Sequence, residues 1–414
     1  NRHSTATSCL QIILLAVCGA IGTPGGNVIP GHLVPLGSHS DERNPNSWRT
    51  VATDYPAIMG VFPPNVMPEE ILSDHPERLR AVLCCGANPL RSYADTTAYQ
   101  KAFSRLNLLV TCELALTETA RLSHYVLPAR SGYESWDGSF FAWTYPEVFF
   151  QMRRPILEPE GERLEVSQIM VRLADRLGVL PRIPDSLVDA AKKDRVTFGT
   201  ALMKYIDQQP EAGKMMPFVL ANTLGKELGS ANLAALWGLL QTMRPTGREN
   251  AVRAGFRPGP AMGEELFQAV LDHPEGLWIG RSDTQNNLKL LRTGDGRLDI
   301  RFPEMAAWIR TIEPEQEVRA LSTAEQWPFI LIAGRHMDTN ANTLMRDPAW
   351  NGERRACTRA MHPLDAQRLA VRDGQSVKII TEAGEASIEL QVTEATRPGL
   401  VVIPHGFGLR YQER

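Results

Sequence analysis

A chain of 414 residues with 43% hydrophobic and 22% charged residues has ordinary globular composition and is long enough to bury at least two cores. Its net charge of -3, with no basic run interleaved with aromatics, excludes nucleic acid as a partner and leaves the arginines as solvated surface. The six cysteines, Cys9, Cys18, Cys84, Cys85, Cys112 and Cys357, do not form the closely spaced sets that hold zinc or an iron–sulfur cluster, so none is expected within this chain.

In chain order, Thr5 to Ala20 reads as a helix, apolar on most sides and therefore expected to be buried, stopped by Gly22-Thr23-Pro24-Gly25-Gly26-Asn27. Its apolar run, Leu10 to Ile21, falls short of the roughly 20 residues a membrane helix needs and carries no secretory cleavage signature. No direct membrane span is expected. The chain opens on Asn1, almost inside this helix, so upstream sequence is expected and localisation stays open. A long loop follows to about Glu69, then a βαβ-like passage: AVLCC as a buried strand, the turn Gly86-Ala87-Asn88-Pro89, an amphipathic helix from about Thr96 to Leu106, and the strand LLVTCE. A parallel sheet is the natural inference. Another short strand, HYVLP, comes after a polar helical turn at Thr117 to Thr119.

Val166, Ile169, Met170, Leu173, Ala174 and Leu177 repeat at the helical period, which predicts one core-facing stripe. The pattern weakens between about Pro181 and Ala320, with helical segments near Leu187 to Tyr205 and Ala231 to Met243 and a Gly/Pro-rich stretch from Arg244 to Gly263. A boundary is placed near Glu313 to Gln326, giving an α/β domain over 1–320 and a small β-domain over 321–414. In the latter, VKIIT and ASIELQV flank the turn Glu382-Ala383-Gly384, and the strand FILIA opens onto a polar loop.

The chemistry sits at strand ends. In an open parallel sheet, ligands bind outside the carboxyl ends of strands, where loop amides and helix N-termini are unpaired. Gly86 permits close approach to backbone, Asn88 offers a donor and an acceptor, and Pro89 starts a helix, although an ordinary strand-to-helix turn would look the same. Glu113 ends the neighbouring strand, where a carboxylate suits ribose hydroxyls or the donor edge of guanine. His124 reads as a core histidine with a satisfied ring more readily than as a functional one. Glu134 and Asp137 are near enough for an acid–base pair, but nothing orients them, and solvated loop carboxylates are the better reading. No Ser-His-Asp arrangement, phosphate-loop motif or metal-ligand cluster is present.

Taken together, these segments resemble the second half of the molybdopterin-guanine-dinucleotide oxidoreductases of the dimethyl sulfoxide reductase and formate dehydrogenase type. GTPGGN resembles that family's Pro-Gly-Gly-Asn turn, AVLCCGANPLRS its strand with Gly-x-Asn/Asp-Pro, TETARLSHYVLP its T-x-T-A-x-x-A-D-V-V-L-P segment, and YESWDGSF its E-x-x-G-T-F. The stretch DAQRLAVRDGQSV resembles the core of its C-terminal dinucleotide-binding double-psi barrel. Five weak motifs in family order span most of the chain.

The resemblance implies a Rossmann-like sheet domain followed by that barrel, and a bis-molybdopterin guanine dinucleotide carrying molybdenum or tungsten. It places Gly86, Asn88, Ser92 and Glu113 along the sheet-side nucleotide site. Gly334, Arg335, His336, Asn340, Asn342 and Thr343 would lie along the pterin and phosphates, with His405 and Gly406 on a later contact loop. Arg335 stands out, because a guanidinium fork matches phosphate geometry.

A small-molecule substrate and an iron–sulfur electron-transfer subunit are the implied partners. His124 stands where the family commonly has Asp, so no cofactor role is carried onto it. The family's metal-ligating residue and its 4Fe-4S domain belong to an upstream segment, so the chain by itself is expected to be inert. The alternative is a non-catalytic structural subunit of an electron-transfer complex that keeps the fold without metal. A nicotinamide-dependent dehydrogenase is disfavoured, since the turn at Gly86 lacks the second and third glycines of that fingerprint.

Overall fold

The computed structural model describes residues 3–28, 44, 46–58, 60–139, 147–281, 284–291, 293–334, 355 and 357–407. Helix α1 (Ser4–Val17) buries only Ala6 and leaves Leu10, Ile12, Leu14 and Val17 exposed, which corrects the expectation of a buried helix. Apolar residues all round mark a helix able to be covered, and nothing among the described residues covers most of this one.

The expected βαβ passage is present. Strands β1 (Ala81–Cys85), β2 (Leu108–Glu113) and β3 (Tyr125–Pro128) form a parallel sheet in the order β1-β2-β3. The register sets Cys85 against Cys112 and Glu113 against Pro128. Between β1 and β2 run two short helices, Pro89–Ser92 and Thr96–Phe103, because Tyr93 turns extended and Asp95 restarts the helix by accepting the Ala98 N–H. Val82 and Leu109 pack with Ile71, Leu90, Tyr99 and Phe103 on one face of the sheet. On the other face Leu83 and Tyr125, both aligned with Val110, are 46% and 65% exposed. The strand read as buried throughout is thus covered on one side only. Cys84 is buried, but Cys85 is exposed.

The largest core lies where the sequence pattern was weakest. Leu187, Phe198, Leu202, Val219, Leu233, Leu236, Trp237, Leu266 and Phe267 pack into one cluster built by short helices between residues 185 and 272. The Gly/Pro-rich stretch contains a helix, Pro245–Arg253, with proline at its first turn, where the missing N–H costs nothing. Strand pairs β4 (Asp137–Gly138) with β6 (Met152–Arg153) and β5 (Glu147–Phe150) with β7 (Leu277–Arg281) tie the helical layer to the sheet segment. The stripe on helix Val166–Arg176 is core only in part: Ile169 and Ala174 are buried, whereas Leu173 and Leu177 are exposed.

The C-terminal segment is a five-stranded mixed sheet, order β10-β11-β9-β12-β8, that curls as a half-barrel. Its strands are β8 (Ile330–Gly334), β9 (Thr358–Met361), β10 (Ser376–Thr381), β11 (Gly384–Val392) and β12 (Leu400–Pro404). β10 and β11 form the expected hairpin, while β8 runs parallel to β12. Met361, Ala366, Leu390 and Val401 fill its small core.

Candidate functional site

The carboxyl end of the parallel sheet is organised by Asn88. Its Oδ1 accepts the Thr119 N–H at 3.3 Å and the Thr119 hydroxyl at 2.8 Å, while its Nδ2 donates to a Glu118 carboxylate oxygen at 2.6 Å. The backbone carbonyl of Asn88 takes the amides of Arg91 and Ser92. The donor and acceptor read from sequence as ligand groups are therefore turned inward, where they bind the turn after β1 to the turn after β2. Thr117, Glu118 and Thr119 do this because Thr117 caps the next helix, Glu118–Leu122, by accepting the Ala120 N–H.

Gly86 leaves β1 with φ +57 and donates its N–H to the Cys112 carbonyl at 3.0 Å. A side chain there would meet no heavy atom within 4 Å, so the backbone is open to close approach on that side. Glu113 is half-buried at the end of β2; one oxygen accepts the Leu114 N–H at 2.7 Å, and the other bonds no described residue. Cys84 donates its thiol to the Ala87 carbonyl, and burial pushes it up to about 11. Burial, with Cys85 beside it, pushes Cys112 up to about 12, so neither thiol is a nucleophile at neutral pH.

Arg91 was not singled out in the sequence. Its side chain is buried and ion-paired to Glu118, and its Nη1 donates to the backbone carbonyl of Gly406 at 2.6 Å. Burial by itself would raise the Glu118 carboxyl, but the hydrogen bonds from Arg91 and Asn88 outweigh it and hold the group at about 2. The neighbouring His405 donates its N–H to the Gly334 carbonyl at 2.8 Å. Two hydrogen bonds thus carry a path from Asn88's turn through Arg91 and the 405–406 loop to Gly334, the last residue of β8. The structure brings Gly86, Asn88, Ser92, Glu113, Gly334, His405 and Gly406 to the ends of two sheets that meet there. Arg335, His336, Asn340, Asn342 and Thr343 lie outside the described residues.

The remaining candidates resolve as structural. His124 accepts the Leu109 N–H at Nδ1 and donates its own amide to the Leu109 carbonyl, fixing β3 beside β2. Glu134 is buried, not solvated: it accepts the Ser131 N–H at 2.9 Å and pairs with Arg163 at 2.7 Å. Asp137 is exposed and pairs with Arg153 across β4 and β6, so the two carboxylates share no task. Among the described residues no three His, Cys, Asp or Glu side chains converge to hold a metal ion, and no helix is long and apolar enough to cross a membrane.

Two family models match the chain: molybdopterin oxidoreductase over residues 2–176 and molydopterin dinucleotide binding domain over residues 329–413. They cover the parallel-sheet segment and the half-barrel respectively, the two units joined through Arg91. The chain belongs to the molybdopterin oxidoreductase family. Members similar to it include a trimethylamine-N-oxide reductase of Haemophilus influenzae, 22% identical over 98% of this chain and 48% of the relative. An F420-dependent formate dehydrogenase subunit alpha of Methanococcus maripaludis is 28% identical over 92% of this chain and 45% of the relative. Among solved structures, acetylene hydratase from Pelobacter acetylenicus superposes with a TM-score of 0.52 at 17% identity, covering 84% of this chain and 40% of that one, a likeness of fold alone. The chain spans about half the length of these family relatives.

Proposed function

We propose that this chain is the part of a molybdenum- or tungsten-dependent oxidoreductase that grips a bis-molybdopterin guanine dinucleotide and serves two-electron or oxygen-atom transfer on a small substrate. The observation that carries the reading is the hydrogen bond from Arg91 to Gly406, which seats the C-terminal loop of one family domain against the strand-end crevice of the other. A ligand long enough to touch both sheets would reach groups of both at this junction. The groups present fit one end of such a nucleotide: open backbone at Gly86, a Glu113 oxygen directed at no described residue, and the amides of Gly406 and Phe407, which donate to no described group.

When bound, the cofactor's metal supplies the two-electron and oxygen-atom exchange. The chain's own part is binding and orientation. Glu113 would accept from ribose hydroxyls or the guanine edge, and Gly86 and Ser92 would line that end. Gly334, His405 and Gly406 would border the pterin side. Arg335, with His336, Asn340, Asn342 and Thr343, is assigned to the phosphates and pterin on residue chemistry, since a guanidinium fork pairs with phosphate oxygens. We assign the half-barrel to the double-psi class and divide the chain at residue 320.

Electron delivery through a 4Fe-4S cluster or an iron–sulfur subunit is proposed for the whole protein. The relatives' names include a reductase, a dehydrogenase and a hydratase, so the substrate is not inferred from kinship. Metal and pterin analysis of the full-length protein tests the reading. Stoichiometric molybdenum or tungsten with a guanine-bearing pterin is the expected result. A folded protein without either would make it the structural subunit instead.

A further inference from the structure

We propose that Arg91 is a positioning residue: its guanidinium holds the 406–407 peptide in one orientation, which pins the C-terminal loop to the sheet's strand end and leaves the Phe407 amide turned outward as a donor. The inference rests on the functional reading for what the donor meets, but not for the latch itself. Arg91 sits on a four-residue helix whose Pro89 and Leu90 are buried, which fixes the base of the side chain. Its two terminal nitrogens reach different elements, one the carboxylate of Glu118 and the other the Gly406 carbonyl, 315 positions away in sequence. Glu118 is held in turn by the Asn88 amide, so the guanidinium has little freedom to follow the loop if the loop moves.

The peptide between Gly406 and Phe407 is planar, and in a trans peptide the N–H points opposite to the C=O. With the carbonyl bound to Arg91, the Phe407 N–H faces away from the guanidinium and meets no described acceptor. The His405 N–H, bonded to the Gly334 carbonyl, fixes the peptide between Pro404 and His405. The loop is therefore held at two points with one peptide between them, one on β8 and one on Arg91. A planar fork is needed: lysine at position 91 keeps the charge but has a single nitrogen that cannot serve Glu118 and Gly406 with the same geometry.

The test compares Arg91→Lys and Arg91→Met with wild type in the full-length holoprotein, reading hydrogen exchange across residues 400–407 and across β2, together with release of pterin nucleotide on dialysis. Exchange at 400–407 is expected to quicken about tenfold to hundredfold in both variants, the range by which a hydrogen bond to a charged group shifts local opening. β2 should keep its protection in Arg91→Lys, and nucleotide should be released faster. Lysine retains the ion pair to Glu118, so the lysine variant carries the test if the methionine variant does not fold. Unchanged protection at 400–407 in Arg91→Lys, or a rise spread equally over β2, overturns the latch. A wild-type protein devoid of pterin nucleotide defeats the functional reading instead, and the exchange result stands apart from it.

Discussion

At the scale of single residues, the site is governed by where charge is buried. Arg91 is buried and its partner Glu118 half-buried, and such a pair stabilises only when good geometry and further hydrogen bonds offset the loss of water. Here the Glu118 oxygens take Arg91 and Asn88. Because the folded carboxyl lies at about 2 against an ordinary 4.5, its stabilising share is complete above about pH 4.5. It is lost as pH falls toward 2. Glu118→Gln should flatten that acid limb in urea midpoints measured from pH 5 to pH 2. At neutral pH it should cost about 3 kcal/mol, since Arg91 would be left buried beside a neutral amide.

None of this was visible in the sequence. Asn88 was legible as a turn residue because Gly-x-Asn-Pro is local chemistry, but its partners Glu118 and Thr119 lie 30 and 31 positions away. Arg91 carries no local mark that sets it apart from the arginines read as solvated surface, and His124 is read as a core histidine ahead of a functional one. Only the strand pairing that places His124 Nδ1 on the Leu109 amide decides the second case.

At the scale of elements, the parallel strands were readable because short apolar runs bounded by Gly, Asn and Pro leave few alternatives. Burial was not. A strand's two faces are equally apolar in AVLCC, and which one is covered depends on helices elsewhere, so Leu83 and Cys85 came out exposed. The segment before the sheet shows a related effect. The amides of Val51, Ala52 and Thr53 and the Thr53 hydroxyl all donate to the buried carboxylate of Glu70. Burial works to raise this group, yet those donors lower it overall, so its contribution is present above the ordinary carboxylate range and fades as pH drops through the folded value. Glu70→Ala should leave three amides seeking water. Hydrogen exchange at residues 50–56 should then rise at least about tenfold, with a stability loss of about 1–3 kcal/mol in denaturant titrations. Protection equal to wild type would mean that the carboxylate does not organise the loop.

At the scale of the whole molecule, the helical layer between residues 185 and 272 holds the largest core although its periodicity was weak. Helices buried on several sides lose the one-sided stripe that a sequence reading relies on. Leu236 is fully buried there, whereas Leu173, on the stripe that looked most like core, is 38% exposed. Leu236→Ala should therefore cost about 2–5 kcal/mol. Leu173→Ala should cost less than about 1 kcal/mol, as expected for a site that water already reaches. The reverse ranking in chemical denaturation would place the core elsewhere. The parallel-sheet segment and the C-terminal half-barrel matter in the same way, since Arg91's hydrogen bond to Gly406 ties the one to the other.

Local matters were legible along the chain: three parallel strands, the Glu382-Ala383-Gly384 hairpin, and family membership carried by short motifs in order. These depend on neighbours within a few residues, where alternation and turn residues act directly. Which faces are covered, why Asn88 looks inward, and how the two sheets meet at Arg91 emerge only once the chain is folded. Those outcomes depend on groups tens to hundreds of positions apart, and a buried charge finds its partner by proximity in space, which spacing along the chain does not encode.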